Sequence, residues 1–442
     1  MEICSVGGYN EVGKNMTAIR VGDEAVICDM GLFLPAIIDF EEEGGHRAKL
    51  TSDSLIRLGA IPDDRVLKDW KPYVKAIVIG HCHLDHCGAV AYLANKYNCP
   101  IIGTPFTLEV LKSMLRDDNL ELKNEFRSMN AGSKMRISKT LEIEFVNATH
   151  STPQTVMIAL HTAEGIVIYA NDFKFDNNPV LGKAPDYEKL RSYQGNVKAL
   201  IVESLYAHER RKTPSESVAR EMLKDVLLGT ENRGHAIIVT AFASHIARMK
   251  SVIEFGRKLD RKVVLLGRSM RKYVLAAEKA NIVNFSKEVE IYGYAQQIEK
   301  QLKKIEKRRN EYLIICTGGQ GEPKSVLSKM ATEVFPFQFL PEDHIIFSCR
   351  TIPVDINIAN RALLERKLRM KKVRIFTDIH VSGHAAREDL HDFLDIVKAK
   401  HLIPAHGDAH ILNALGDLGM EMGYEHGKNL HIMRNGQILK IN

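Results

Sequence analysis

The chain has 442 residues, 45% apolar and 26% charged, with a formal net charge of +6. This is the composition of a folded protein, which excludes a low-complexity chain, and the length calls for about two domains rather than one core. No apolar run approaches the roughly 20 residues that cross a bilayer, so no membrane partner is expected. The start Met1-Glu2-Ile3-Cys4-Ser5 begins acidic and reads as an immediate strand, so a signal peptide is not expected. The seven cysteines lack framework spacing and read as reduced thiols of a cytoplasmic protein.

In chain order, residues 3–30 read as two short strands joined by the loop Gly7-Gly8-Tyr9-Asn10-Glu11-Val12-Gly13-Lys14-Asn15. That loop has neither Walker nor dinucleotide spacing and reads as turn chemistry. Asp29, at the end of the strand 25–28 and two residues before Gly31, is a candidate site residue. Residues 36–70 are poorly periodic, with an exposed turn expected at 41–45. The apolar run 74–79 then delivers His81-Cys82-His83-Leu84-Asp85-His86, three imidazoles and one carboxylate within six residues. A lone histidine is usually an ordinary hydrogen-bonded group. Four ligand-type residues at one strand end form a metal site, and imidazole with carboxylate is the set that zinc prefers. Cys82 and Cys87 flank the cluster and read as small buried apolar residues. A helix over 88–96, a strand at 99–103 and a helix over 105–117 continue an α/β layered pattern.

The strands 141–146, 166–170 and 197–202 end near His150, Asp172 and Glu203. Several strands thus deliver an ionisable residue at their carboxyl ends, a recurrence that could converge on one site. From about 208 to 350 the texture is that of a second α/β unit, consistent with an insertion. It contains strands at 236–240, 262–266 and 312–316, the last followed by Thr317-Gly318-Gly319-Gln320-Gly321-Glu322. The basic run 300–309 reads as a solvated helix face, because Ile298, Leu302 and Ile305 recur at helical spacing and face a core. Strand-then-ligand texture returns at 373–376, at Ser382-Gly383-His384-Ala385, and at 402–405 followed by His406. A closing hairpin is expected over 431–441 around Asn435-Gly436.

The spacing H-x-H-x-D-H is not the H-E-x-x-H of a zincin helix. It resembles the signature of the metallo-β-lactamase superfamily. That resemblance implies an αββα sandwich carrying two Zn²⁺ ions at its edge, although manganese also suits these ligands. On the family pattern His81, His83 and His150 hold the first ion, Asp85, His86 and His406 the second, and Asp172 bridges them. Asp29 matches the carboxylate that orients a ligand imidazole from behind. Two such ions share a water, lower its pKa to about 7 and clamp both oxygens of a phosphodiester in displacement.

An α/β unit between Asp172 and His406 resembles the β-CASP nucleases, whose further marks are matched by Glu203, His384 and His406. The resemblance implies Asp85, Glu203 and His384 as catalytic residues, the last two donating a proton to the leaving oxygen. Gly7 to Asn15, Asp172-Phe173-Lys174-Phe175-Asp176, Ser382-Gly383-His384-Ala385 and Pro404-Ala405-His406-Gly407 are similar to motifs of the ribonuclease J family, in its short archaeal form without the bacterial C-terminal domain. Glu203-Ser204-Leu205-Tyr206 departs from the Asp-Ser-Thr of bacterial relatives and keeps the carboxylate one methylene longer. The expected organisation is a metallo-β-lactamase domain in two parts, 1–207 and 356–442, around a β-CASP domain at 208–355. The expected activity is 5′-to-3′ exonucleolytic hydrolysis of RNA in decay and processing, preferring a 5′-monophosphate, with additional internal cleavage and a homodimeric enzyme. In the family a pocket between the domains holds the terminal phosphate. Ser244, His245, Gly318, Gly319, Gln320, Gly321, Ser348 and Arg350 are candidates for it, with Ser382 and His384 on the RNA. A DNA nuclease of the same superfamily and a non-catalytic RNA-binding subunit are the rivals. Every ligand position is filled, which argues against the second.

Overall fold

In the computed structural model, which describes residues 1–42 and 50–442, the chain begins with β1 (Glu2–Gly7), β2 (Met16–Val21) and β3 (Glu24–Cys28). Three strands stand where two were expected over residues 3–30. Met16–Val21 turns at Gly22, whose φ of 56° permits the tight reversal, and pairs antiparallel with β3. The exposed turn expected at 41–45 falls partly in the helix Leu34–Glu42 and otherwise outside the described residues. β4 (Val74–Ile79), β5 (Ile101–Gly103) and β6 (Phe126–Ser128) extend the sheet in parallel. The helix expected over 88–96 is shortened to the turn Val90–Leu93, continued by the 3-10 turn Ala94–Lys96, and Leu84–Cys87 and Val90–Leu93 stand as separate turns. Gly88 separates them where a Cβ would collide with Leu84 O and the Leu32 side chain.

A second sheet follows from β7 (Lys134–Arg136), β8 (Glu142–Asn147), β9 (Val156–Thr162), β10 (Gly165–Ala170) and β11 (Val197–Glu203). The third, from β12 (Ile237–Thr240), β13 (Lys262–Leu266), β14 (Glu290–Tyr292), β15 (Tyr312–Cys316), β16 (His344–Phe347) and β17 (Arg374–Phe376), is parallel throughout. The chain then returns: β18 (His401–Ala405) pairs with β11, and β19 (Gln437–Lys440) pairs with β1. The closing hairpin expected over 431–441 does not form, because β1 offers an unpaired edge and takes Gln437–Lys440 antiparallel.

Period-two alternation assembles the sandwich. In β10 and β11, Val167, Tyr169, Ala199 and Ile201 pack inward with Ile3, Val26 and Val78 of the first sheet. Their neighbours Ile168, Ala170, Leu200 and Val202 face the other way, onto Leu190, Phe393, Leu394 and Leu415 of covering helices. On the far side, the helix Pro105–Asp118 packs against β5 and β6. The order helix, sheet, sheet, helix is the αββα sandwich. The parallel sheet of the other unit has its own core, into which Ile298, Leu302 and Ile305 point as expected.

The two units are Met1–Asn177 with Lys183–Thr213 and Gly383–Asn442, and Asn178–Gly182 with Pro214–Ser382. The second unit begins a few residues after 208 and ends well beyond 355. Leu364 and Leu368 of the helix Asp355–Met370 belong to its core, and β17 extends its sheet. Residues 356–382 are therefore part of the insertion, not of the returning sandwich.

Within the insertion, Arg248 is fully buried and forks onto both oxygens of Glu216 at 2.6 and 2.8 Å. It also donates to Ser348 O, Ser348 Oγ and Ile379 O. Burial opposes ionisation of Glu216, but His245 and Arg248 outweigh it and hold the carboxyl well below its ordinary range. Its contribution to stability is therefore present above about pH 4.3 and is lost as pH falls below that range. Arg248→Met should cost about 3–5 kcal/mol in urea unfolding, by leaving a buried carboxylate unpaired, and adding Glu216→Leu should recover most of the loss.

Candidate metal centre

The sandwich delivers its polar residues where strands end. β4 ends at Ile79, and His81 and His83 follow in extended chain before the turn Leu84–Cys87 carries Asp85 and His86. β10 is followed by Asp172, β11 ends on Glu203, and β18 is followed by His406. Asp29, Asp172 and His406 all have left-handed backbones, with φ of 60°, 55° and 59°. Such residues cost about 1–3 kcal/mol each and persist where the surroundings over-determine them. Asp and His tolerate the region better than most side chains.

Two groups of ligand-type atoms result, His81, His83, His150 and Asp172, and Asp85, His86, Asp172 and His406. In the first, His83 Nδ1 lies 3.2 Å from His81 Nε2 and 3.1 Å from His150 Nε2. Asp172 Oδ2 lies 3.4 Å from His81 Nε2 and 3.6 Å from His150 Nε2. In the second, Asp172 Oδ1 lies 3.2 Å from His86 Nε2 and 3.8 Å from His406 Nε2. Asp85 Oδ2 is 3.5 Å from His86 Nε2 and 3.9 Å from His406 Nε2. Asp172 thus gives one oxygen to each group.

The tautomers are set from outside the cluster. His150 Nδ1–H donates to Gly383 O at 2.7 Å, and His86 Nδ1–H donates to Asp29 Oδ2 at 2.7 Å. Each bond leaves an Nε2 lone pair facing inward. Burial, with His81 nearby, pushes His83 down to about 3, and burial with His384 holds His150 well below its ordinary value. Burial opposes protonation of His86, but Asp172, Asp85 and Asp29 outweigh it and raise that imidazole well above its ordinary value. In the second group a cation therefore takes the place of a proton, whereas His83 and His150 are already in the neutral form that a divalent cation requires. Asp172 is buried, its Oδ1 accepts no hydrogen bond among the described residues, and several nitrogen lone pairs converge on it. Lone pairs facing one another across 3–4 Å in a buried site are explained by a cation between them. These residues fit divalent metal ions of the zinc type.

A third group joins Asp172 to Glu203 and His384. His384 Nδ1–H donates to Glu203 Oε2 at 2.7 Å, while Glu203 Oε1 accepts from Phe173 N at 2.8 Å. Burial opposes protonation of His384, but Glu203 and Asp172 outweigh it and push the imidazole up to about 9. Gly31 is obligatory here, since a Cβ would lie 1.6 Å from Asp85 O.

Every residue expected at the metals is brought to this one place, and Asp29 lies behind His86. Asp29 also accepts from Gly80 N at 2.9 Å and from Tyr169 OH at 3.0 Å, and Tyr169 OH accepts from Asn171 Nδ2. Sequence reasoning missed Tyr169. Its signal was the alternation of β10, which turns Tyr169 into the sandwich, where a hydroxyl must find a partner.

The residues expected on a terminal phosphate follow the carboxyl ends of β12, β15 and β16, adjacent strands of the insertion, where α/β sheets bind ligands. Several are already engaged. Ser348 Oγ is bonded to Arg248 and Ile379 O, and His245 caps the helix Ile246–Lys258 beside Glu216. Gln320 bridges Arg350 O and Ile352 N. A Cβ on Gly319 would strike Cys349 Sγ, and one on Gly321 the backbone of residues 360 and 361. Gly318, with φ of 127°, and Ser244 are buried, whereas Arg350 is exposed. Ser382 closes the insertion, two residues before His384.

Three family models match the chain: a "Beta-lactamase superfamily domain" at residues 61–233, a "Ribonuclease J, beta-CASP domain" at 234–364, and a "Zn-dependent metallo-hydrolase RNA specificity domain" at 370–432. Ribonuclease J of Methanocaldococcus jannaschii is 44% identical over 100% of this chain and 99% of its own length. That of Pyrococcus abyssi is 41% identical, over 100% and 97%. Ribonuclease J 1 of Streptococcus pyogenes is 29% identical over 99% of this chain and 74% of its own. A crystal structure of an Enterococcus faecalis protein of unknown function has the same fold, with a TM-score of 0.67 at 17% identity over 99% of both chains.

Asp29→Asn removes a negative charge from behind His86. The variant is expected to bind Zn²⁺ about 10- to 100-fold more weakly in competition with a chromophoric chelator, while unfolding cooperatively like the parent.

Proposed function

This chain belongs to the ribonuclease J family of metal-dependent ribonucleases, and we propose that it removes nucleotides from single-stranded RNA in the 5′-to-3′ direction, preferring 5′-monophosphate ends. It is a hydrolase of phosphodiester bonds. Action in RNA decay and processing, an additional internal cleavage and a homodimeric state belong to the same reading.

The observation that carries it is the shared Asp172, with one oxygen toward His81 and His150 and the other toward His86 and His406. His81, His83 and His150 would hold one divalent ion, and Asp85, His86 and His406 a second. When bound, two such ions activate water near neutral pH and stabilise both the attacking and departing oxygens of a phosphodiester. The chain's own residues do the remainder. Asp29 fixes the His86 ring in the tautomer that presents Nε2. Gly383 O does the same for His150. Glu203 holds His384 with Nδ1–H toward itself, which leaves Nε2 to give a proton to the departing 3′-oxygen. A protonated His384 at neutral pH is what that step needs, and general acid help of this kind contributes about 10²–10⁴-fold.

Support for a 5′-phosphate preference comes from the exposed Arg350 beside the glycine-rich loop at the end of β15. Gln320 is assigned to shaping that loop and Ser348 to holding Arg248, rather than to binding anion with their side chains.

His81→Ala and Asp85→Ala should abolish release of mononucleotides from 5′-labelled RNA. Unimpaired release by either variant would sink the metal mechanism. Offered the same RNA with a 5′-triphosphate, the parent enzyme should be slower than on the monophosphate, and Arg350→Ala should narrow that gap. Equal rates on the two ends for the parent would remove the preference from the reading.

A further inference from the structure

The loop between β11 and the insertion carries more than its role as a connection requires. Ser204-Leu205-Tyr206-Ala207-His208-Glu209-Arg210-Arg211-Lys212 leaves the sandwich directly after the buried Glu203. From the His384 ring a line of rings runs outward. The Tyr206 centroid is 6.0 Å from His384, His208 is 6.4 Å from Tyr206, and His410 is 6.3 Å from His208. Tyr206 is half-buried, and His208 and His410 are exposed.

The loop is held in place. Tyr206 pairs as a parallel bridge with Ala386, two residues after His384. Glu209 O accepts from Arg387 N at 3.2 Å, and Arg211 O accepts from Glu388 N at 3.2 Å. The Arg387 guanidinium donates to Ala207 O at 3.3 Å and to Glu421 at 2.7 Å. Thr213 Oγ1 closes the far end on His384 O at 2.7 Å. A partly exposed segment whose backbone is tied at Ala207, Glu209 and Arg211 loses little entropy when a ligand settles on it.

Its charges point the same way. Arg211 lies over the Tyr206 ring at 5.6 Å and pairs with Glu209, and Lys212 pairs with Asp392 at 2.7 Å. Arg210 is exposed and forms no ion pair among the described residues. Rings that run from a half-buried tyrosine to two exposed histidines, beside guanidinium groups, are the chemistry that binds single-stranded nucleic acid, rings under the bases and cations along the backbone. Neither a peptide nor a lipid surface accounts for rings that begin at a proton donor for phosphodiester cleavage.

We propose that Tyr206, His208 and His410, with Arg210, form a nucleobase-stacking subsite for single-stranded RNA adjoining the metal centre. Resting on the ribonuclease reading above, it assigns Tyr206 to a base next to the scissile phosphate and the two histidines to bases farther along the strand. Stacking accepts every base, so the subsite favours single strands over duplexes without selecting sequence.

The test measures affinity of the metal-loaded enzyme for a nuclease-resistant 2′-O-methyl oligoadenylate, and for the same strand with abasic sites in place of the adenines. Tyr206→Ala should weaken binding of the base-bearing strand by about 5- to 150-fold and leave the abasic strand unchanged, whereas Tyr206→Trp should retain parental affinity. A 2-aminopurine in the strand should lose its quenching in Tyr206→Ala. Equal weakening on both strands would mean that the ring only supports the loop, and would overturn the proposal. Undiminished affinity of Tyr206→Ala, in a parent that degrades unmodified RNA, overturns the subsite alone. A parent that does not degrade RNA overturns the function and the subsite with it.

Discussion

A single buried carboxylate with two faces organises this molecule. Asp172 is almost fully buried, yet it stands among imidazole nitrogens on both sides. A carboxylate in that position is tolerable only if cationic charge is supplied to it. Two of the histidines around it, His86 and His150, are turned by Asp29 and by Gly383 O so that their Nε2 atoms face the site. The site is built to be completed by metal, and the family match to zinc-dependent hydrolases agrees with that chemistry.

The backbone bears part of the cost. Asp29, Asp172 and His406 are held left-handed immediately beyond strands of the sandwich. The strands are rigid because both faces of the second sheet are packed, one against the first sheet and one against helices. Such packing keeps side chains within a few tenths of an ångström of where metal ligation needs them, which loops alone do not achieve. The loop after β11 follows the same principle, since its rings are carried on backbone tied to the helix Arg387–Val397 and the turn before it.

The insertion has a separate logic. Its parallel sheet is an independent core, and the buried pair of Arg248 and Glu216 ties the ends of β16 and β17 to the helix that opens the unit. His245 and Ser348 belong to that tie. Sequence could not distinguish them from phosphate ligands, because a histidine or serine after a strand looks the same whether it faces solvent or a buried guanidinium. Only the tertiary structure shows Arg248, remote in sequence from Ser348, engaging that side chain.

By itself the sequence determined the metal chemistry and the layered α/β class. Both are written in local patterns: six residues from His81 to His86, alternation in β8, β10 and β11, and glycines where backbones approach. His150, Asp172, Glu203, His384 and His406 were legible because each stands at or just beyond a recognisable strand or motif. Tertiary structure alone decided what depends on distant partners. It placed β17 in the insertion's sheet, gave β19 to the edge of β1, turned Tyr169 onto Asp29, and set Tyr206 beside His384. Pairing and burial are settled by which surfaces meet, and a chain read one residue at a time does not contain that until its sheets have closed on one another.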